Sequence, residues 1–137
     1  MGRDEAEIEN KSPLRVLIVD DNRDAANLMG KLLAVLGNNT KVVYDGFAAL
    51  DTAHSFKPEA VLLDIGLPDM DGYEVARSLR EIPGCENVTL VAITGWGQDS
   101  DRQKATLAGF NHHVVKPADS SVLLRLLRDV PRIPEIN

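Results

Sequence analysis

Four short apolar runs in this 137-residue chain end in groups that can do chemistry. Ala60-Val61-Leu62-Leu63 ends in Asp64, and Val16-Leu17-Ile18-Val19 runs into Asp20-Asp21. Leu90-Val91-Ala92-Ile93 ends in Thr94, and His113-Val114-Val115 runs into Lys116-Pro117. Runs of this length read as buried strands, and open α/β sheets bind ligands just outside the C-terminal ends of such strands. Three carboxylates, a lysine and a threonine at strand tips form a donor set for a divalent cation and a phosphoryl group. Acids brought within about 5 Å repel by roughly 3 kcal/mol per pair at an effective dielectric near 20. Either one of them takes a proton or a cation sits among them. Oxygen ligands without His or Cys select Mg2+ or a similar ion such as Mn2+. With Mg2+ and Lys116 present the site is close to neutral, which an arriving dianionic phosphoryl group needs before a carboxylate can attack it.

Asp64 is the candidate nucleophile, because carboxylates form acyl phosphates in some enzymes. Candidate metal ligands are Asp20, Asp21, Asp64 and the backbone carbonyl of Gly66, whose lack of a side chain also leaves the approach to Asp64 open. The Thr94 hydroxyl could hydrogen-bond a phosphoryl oxygen, and Lys116 would offset its charge. Taken singly, each of these residues also reads as a turn or cap residue. Their joint occurrence at four strand tips of one sheet edge is what favours a site.

The elements that must position these groups alternate strand and helix. Apolar positions Ala25, Leu28, Met29, Leu32, Leu33, Val35 and Leu36 predict a helix from about Arg23 to Leu36, with Asn22 to cap it and Gly37 to close it. A second strand is expected at Lys41–Tyr44, and a second helix between Asp45-Gly46 and Pro58. Asp71 and Glu74 form a capping box for a third helix running to about Leu79 or Arg80. Ser100 and Gln103 do the same for a fourth, which Gly109 ends. A fifth follows Pro117, capped by Asp119 or Ser120, with Val122, Leu123, Leu126, Leu127 and Val130 as its inner stripe and Pro131 as its stop. Five strand–helix units predict an α/β fold, a parallel sheet covered on both faces, and the flavodoxin-like order 2-1-3-4-5 is one of the few topologies that right-handed crossovers leave. In that order Asp20, Asp21 and Asp64 meet where the winding reverses.

Composition bounds the function. Hydrophobic residues make up 44% and charged residues 26%, which is globular. The net charge of −6 argues against a nucleic-acid partner. No apolar run approaches the ~20 residues of a membrane span, and the N-terminus does not resemble a signal peptide. Cys85, the single cysteine, excludes an internal disulfide and fits a reducing, cytoplasmic setting. It reads as a small loop residue, since nothing nearby in the sequence would activate a thiol. Residues 1–13 read as a loose polar leader, 14–130 as a single domain and 131–137 as a tail whose two prolines oppose a helix.

Residues 14 to 130 resemble the receiver domain of two-component response regulators. The resemblance is carried by Asp20-Asp21-Asn22, by Asp64 with Leu67-Pro68-Asp69-Met70-Asp71-Gly72, by Thr94-Gly95 and by Lys116-Pro117, at separations of 30 and 22 residues between Asp64, Thr94 and Lys116. It implies that Asp64 takes a phosphoryl group from a phosphohistidine on a histidine kinase or phosphotransfer protein. It also implies that Asp20, Asp21, Asp64 and the Gly66 carbonyl bind Mg2+, and that Thr94 and Lys116 sense the phosphoryl group. The Lys116-Pro117 bond is expected to be cis, and phosphorylation to shift the face made by helix four, strand five and helix five. Such a module promotes its own phosphorylation and is not a stand-alone enzyme. His113 stands where many receivers carry a switch Tyr or Phe, which puts the usual aromatic switching in doubt. Adjacent His112 and His113 should point to opposite faces of a strand, against a metal pair. Trp96, two residues after Thr94, either shields the acyl phosphate from water or is only a loop aromatic. The stretches Ile93–Gln98 and Gly109–His113 look most like receivers at the C-termini of hybrid sensor kinases, so a free-standing receiver and one cut from a larger protein both stay open.

Three other functions are less well supported. A Mg2+-dependent aspartyl phosphatase would want a general acid at the position of Gly66. A degenerate contact module would not need the complete acid, threonine and lysine set. A flavin phosphate would be repelled by the acidic loop after strand one.

Overall fold

The computed structural model describes residues 13–95 and 99–133. Five strands, β1 (Arg15–Val19), β2 (Asn39–Val43), β3 (Ala60–Asp64), β4 (Thr89–Thr94) and β5 (His112–Val115), alternate with five helices. The helices are α1 (Arg23–Val35), α2 (Gly46–Phe56), α3 (Gly72–Glu81), α4 (Asp99–Ala108) and α5 (Ser120–Arg128). All strand pairs are parallel, in the order β2-β1-β3-β4-β5. This is the doubly wound, flavodoxin-like arrangement expected from the alternation.

Successive strand side chains point to opposite faces, and both faces of this sheet are covered. Leu17, Val19, Val61, Leu63, Leu90 and Ala92 pack with Ala49 and Ala53 of α2, Val75 and Leu79 of α3, and Ala105 of α4. Val16, Ile18, Leu62 and Val91 pack with Ala26 and Leu33 of α1 and Leu123 and Leu127 of α5. Every residue of β3 is buried, as befits the central strand. Cys85 lies in this core with its Sγ 3.9 Å from the Ala53 carbonyl, and burial raises its thiol pKa, so it is a packing residue.

Several boundaries differ from the sequence reading. β2 begins at Asn39 and ends at Val43, not Lys41 and Tyr44, because pairing with the whole of β1, Arg15 opposite Asn39 through Val19 opposite Val43, sets its extent. Tyr44 instead turns off the sheet, donating to Asn27 Oδ1 at 2.6 Å with the Arg23 guanidinium 4.1 Å from its ring centroid. α4 already includes Asp99, so Ser100, expected at the cap position, falls within the helix span. Asp71 does cap α3, accepting from the Tyr73 N–H, and Asp119 caps α5. Gly37 and Gly109 close α1 and α4 with φ of 96° and 101°, a conformation that suits glycine.

α1 carries more apolar surface than one face can bury. Leu33 is buried, while Leu28, Val35 and Leu36 are 71%, 84% and 53% exposed. The helix sits close over β2, because a Cβ on Gly30 would fall 2.6 Å from Val42 Cγ2. Between α1 and α5 a groove of about 820 Å³ remains, running from Leu28, Met29 and Leu32 to Asp20, Asp64 and Lys116.

At the other end of the sheet Glu59 is 2% exposed. Its carboxylate accepts from the Arg15 N–H at 2.9 Å and the Ile133 N–H at 2.6 Å, with Arg15 Nη1 at 3.5 Å. The Arg15 guanidinium also donates to the Lys57 and Ile133 carbonyls. The chain just past α5 is thereby tied beneath β1 and β3.

Candidate functional site

The winding reverses between β1 and β3, so the loops leaving these neighbours diverge to opposite faces and open a cleft between their tips. Asp20, Asp21 and Asp64 each place a carboxylate oxygen in this cleft, all within 4.8 Å of one another, the one such cluster found among the described residues. Asp64 is buried, Asp20 half-buried and Asp21 exposed.

Local hydrogen bonds aim these groups. The Asp20 N–H donates to the Val43 carbonyl at 3.2 Å, extending β1 toward β2. Its Oδ1 accepts from the Asn22 N–H at 2.9 Å, and Asn22 Oδ1 accepts from Ala25 N–H at 3.1 Å as the cap of α1. The three-residue stretch thus divides its work between two acids facing the cleft and an amide that starts the helix. Asp64 Oδ1 accepts from the Gly66 N–H at 2.9 Å, and Oδ2 from Lys116 Nζ at 2.9 Å. Lys116 is placed by its own N–H, which donates to the Thr94 carbonyl at 2.7 Å, and by a cis peptide to Pro117, as the resemblance implied.

The electrostatics follow from this crowding. Burial raises the Asp20 pKa, the Asp64 charge and hydrogen bond add to the rise, and the Asn22 N–H and Lys116 oppose it. Burial works against the charge on Lys116, but the hydrogen bond to Asp64 and the charges of Asp64, Asp20 and Asp21 outweigh it and hold the ammonium above its ordinary pKa. Three carboxylates share this cleft with the Lys116 ammonium. Three hard oxygen donors with no His or Cys among them fit Mg2+.

Thr94 ends β4 beside Asp64, is 4% exposed and pairs in register with Val115. A Cβ on Gly66 would stand 3.7 Å from Asp64 Oδ1, over the carboxylate. His113 lies opposite Ala92 and lines a separate pocket with Arg102, Thr106 and Phe110. Both of its ring nitrogens are buried without a hydrogen-bond partner among the described residues. Burial lowers its pKa, the Arg102 charge lowers it further, and Asp101 opposes. His112 is exposed and also borders Leu126 and Val130 on the α5 side, where His113 does not reach. Trp96 lies outside the described residues. Two features escaped the sequence reading, the open groove along α1 and the reach of Asp69 to the start of α2. The apolar surplus of α1 was a usable signal for the first. The second spans 23 residues and leaves none in the sequence.

A cleft of acids closed by a lysine thus lies at the reversal point of a 2-1-3-4-5 sheet. The family model described as response regulator receiver domain matches residues 16–128, and the chain belongs to that family. It is 32% identical over 120 residues to the response regulator MprA of Mycolicibacterium vanbaalenii, covering 88% of this chain and 51% of that protein. The chain therefore spans about half the length of MprA. It is 31% identical over 121 residues to a 14.6 kDa protein of Leptolyngbya boryana, covering 88% of this chain and 92% of that one. Among solved structures it is similar to the receiver domain of the sensor histidine kinase PA1611 from Pseudomonas aeruginosa, with 29% identity, a TM-score of 0.77, and 87% and 98% of the two chains covered. That receiver has a magnesium ion coordinated in its active-site cleft. No helix among the described residues is long and apolar enough to cross a membrane.

Proposed function

We propose that residues 14–130 form a phosphoacceptor module in which Asp64 takes a phosphoryl group from a phosphohistidine on a partner histidine kinase or phosphotransfer protein. The observation that carries this reading is the contact of Lys116 Nζ with Asp64 Oδ2 at 2.9 Å inside a three-carboxylate cluster. A carboxylate oxygen of Asp64 attacks phosphorus, an O–P bond forms, the P–N bond breaks and its electron pair returns to the donor imidazole. Lys116 faces the phosphoryl oxygens, and the Thr94 hydroxyl lies at the neighbouring tip to donate to one of them. Asp20, Asp21, Asp64 and the Gly66 carbonyl would hold Mg2+, which when bound supplies the positive charge that lets two anions meet. As the Lys116 ammonium turns from Asp64 to the phosphoryl group, the backbone it shares with Thr94 and β5 moves with it. The α4–β5–α5 face is where that shift is read, with His113 in place of a switch aromatic.

The donor must reach a carboxyl that is almost wholly buried, through the mouth lined by Asp20 and Lys116. The exposed Leu28 on α1 borders the groove that opens there, and a helix of the phosphodonor would bear on it. Nothing favours a nucleic-acid or membrane partner, and a cytoplasmic setting suits the single free Cys85. A second reading, a receiver belonging to a hybrid sensor kinase, is favoured by the 29% identity to the PA1611 receiver. Incubation with acetyl phosphate and MgCl2, read by intact mass, should add one phosphoryl group to the wild type and none to Asp64→Asn. An equal yield in that variant would overturn the assignment.

A further inference from the structure

The loop that leaves Asp64 must hold the Gly66 carbonyl steady before α3 begins at Gly72. The sheet fixes its first residue, since the Ile65 N–H donates to the Ile93 carbonyl at 3.2 Å. Its end is closed against its start. The Gly72 N–H donates to the Ile65 carbonyl at 3.3 Å, and a Cβ on Gly72 would fall 2.6 Å from Ile65 Cα. The middle of the loop is held from outside. The Asp69 carboxylate reaches across to the start of α2 and accepts from the Gly46 N–H at 2.8 Å and the Phe47 N–H at 3.0 Å. Met70 seats against Gly46 at the same point, where a Cβ would be 2.9 Å from Met70 Cβ.

α2 does not need Asp69 as its cap. Asp45 already accepts from the Ala48 N–H at 2.7 Å. A second carboxylate on the same helix start, delivered from the loop beside Asp64, fastens that loop to α2. We infer that Asp69 is a positioning residue for the acidic cleft, a strut braced on α2 that holds the loop so that the Gly66 carbonyl faces the cation site. The inference rests on the phosphoacceptor reading above. Orphan amides and the helix dipole make the start of α2 a firm anchorage for an anion. Pro68, with its fixed φ, passes that restraint toward Leu67 and Gly66. Burial raises the Asp69 pKa, but the Gly46 and Phe47 amides, with those of Asp69 and Met70, together outweigh it and keep the carboxyl below its ordinary pKa.

The test titrates MgCl2 into wild type, Asp69→Ala, Asp69→Asn and Asp45→Ala by calorimetry, and follows acetyl phosphate labelling of Asp64 and urea unfolding on the same proteins. Asp69→Ala is expected to weaken Mg2+ about tenfold, the scale set by groups that orient ligands. Its labelling rate should fall at low MgCl2 and recover at saturation. Asp69→Asn, which keeps one acceptor oxygen, should lie between. Asp45→Ala loosens the same helix without touching the loop, so it should lower the urea midpoint and leave the Mg2+ affinity alone. Unchanged Mg2+ affinity in Asp69→Ala, or an equal loss in Asp45→Ala, overturns the inference while the phosphoacceptor reading stands. A wild type that neither binds Mg2+ nor labels overturns both.

Discussion

Replacing Asp20 by Asn should make the metal-free protein more stable and remove its response to Mg2+. The three carboxylate groups lie within 4.8 Å of one another. At that separation a like-charged pair costs about 3 kcal/mol at an effective dielectric of 20 and about 1 kcal/mol in water. Asp20 is half-buried, so its cost falls between these limits, and it faces two negative neighbours against one lysine. The net relief on removing its charge is on the order of 1 kcal/mol. Asn keeps an oxygen for the Asn22 N–H, so the start of α1 is preserved. For a domain of this size about 1 kcal/mol shifts the melting temperature by roughly 4 °C. The pH dependence has the same origin. The folded-state pKa of Asp20 lies above its ordinary value of 3.8, so the metal-free wild type loses stability as pH rises through that folded pKa, and the variant lacks this contribution. With MgCl2 the order reverses. A ligand at a hundredfold excess over its dissociation constant adds about 2.7 kcal/mol to the wild type, and the variant, short of one ligand, gains much less. Thermal unfolding followed by circular dichroism, in EDTA and in MgCl2, reads all of this. A variant less stable than wild type in EDTA, or equal Mg2+ gains in both proteins, would refute the reasoning.

Two further outcomes test the fold around the site. Gly72→Ala must push the backbone of Ile65 away from a contact of 2.6 Å, which should cost about 1–3 kcal/mol in urea unfolding, whereas Gly95→Ala meets nothing within 4 Å and should be neutral. His113 has a folded pKa below its ordinary value of 6.5, so the stability it contributes is present above that value and lost as pH falls toward the folded pKa. His113→Phe, free of two unpartnered ring nitrogens, should flatten the change in urea midpoint between pH 8 and 5, and an unchanged slope would exclude His113 as its source.

The topology and the convergence of Asp20, Asp21, Asp64 and Lys116 were legible because strand tips carry their meaning locally, as an apolar run followed by a reactive group. Caps at Asn22, Asp71 and Asp119 were legible for the same reason, each bonding an amide two or three residues on. What could not be read was set between elements. The extent of β2 depends on its partner β1, and the exposure of Leu28 depends on where Gly30 lets α1 rest against Val42. Asp69 offered no local sign of its role, because its partners belong to a helix that is complete without it.

The clasp formed by Glu59 and Arg15 bears on how α5 can respond. That helix starts just beyond Pro117, at the reactive rim, while the residues past its last turn are fastened through Ile133 near the opposite pole. Along β3 the two poles are separated by about 16 Å, five residues of extended chain. A rod pinned at its foot and tugged at its head pivots instead of sliding. A sub-ångström displacement of Lys116 would then emerge as a tilt of α5 that is greatest beside the cleft and fades toward Val130, so a partner that gauges this helix has most to gain by gripping its first turn.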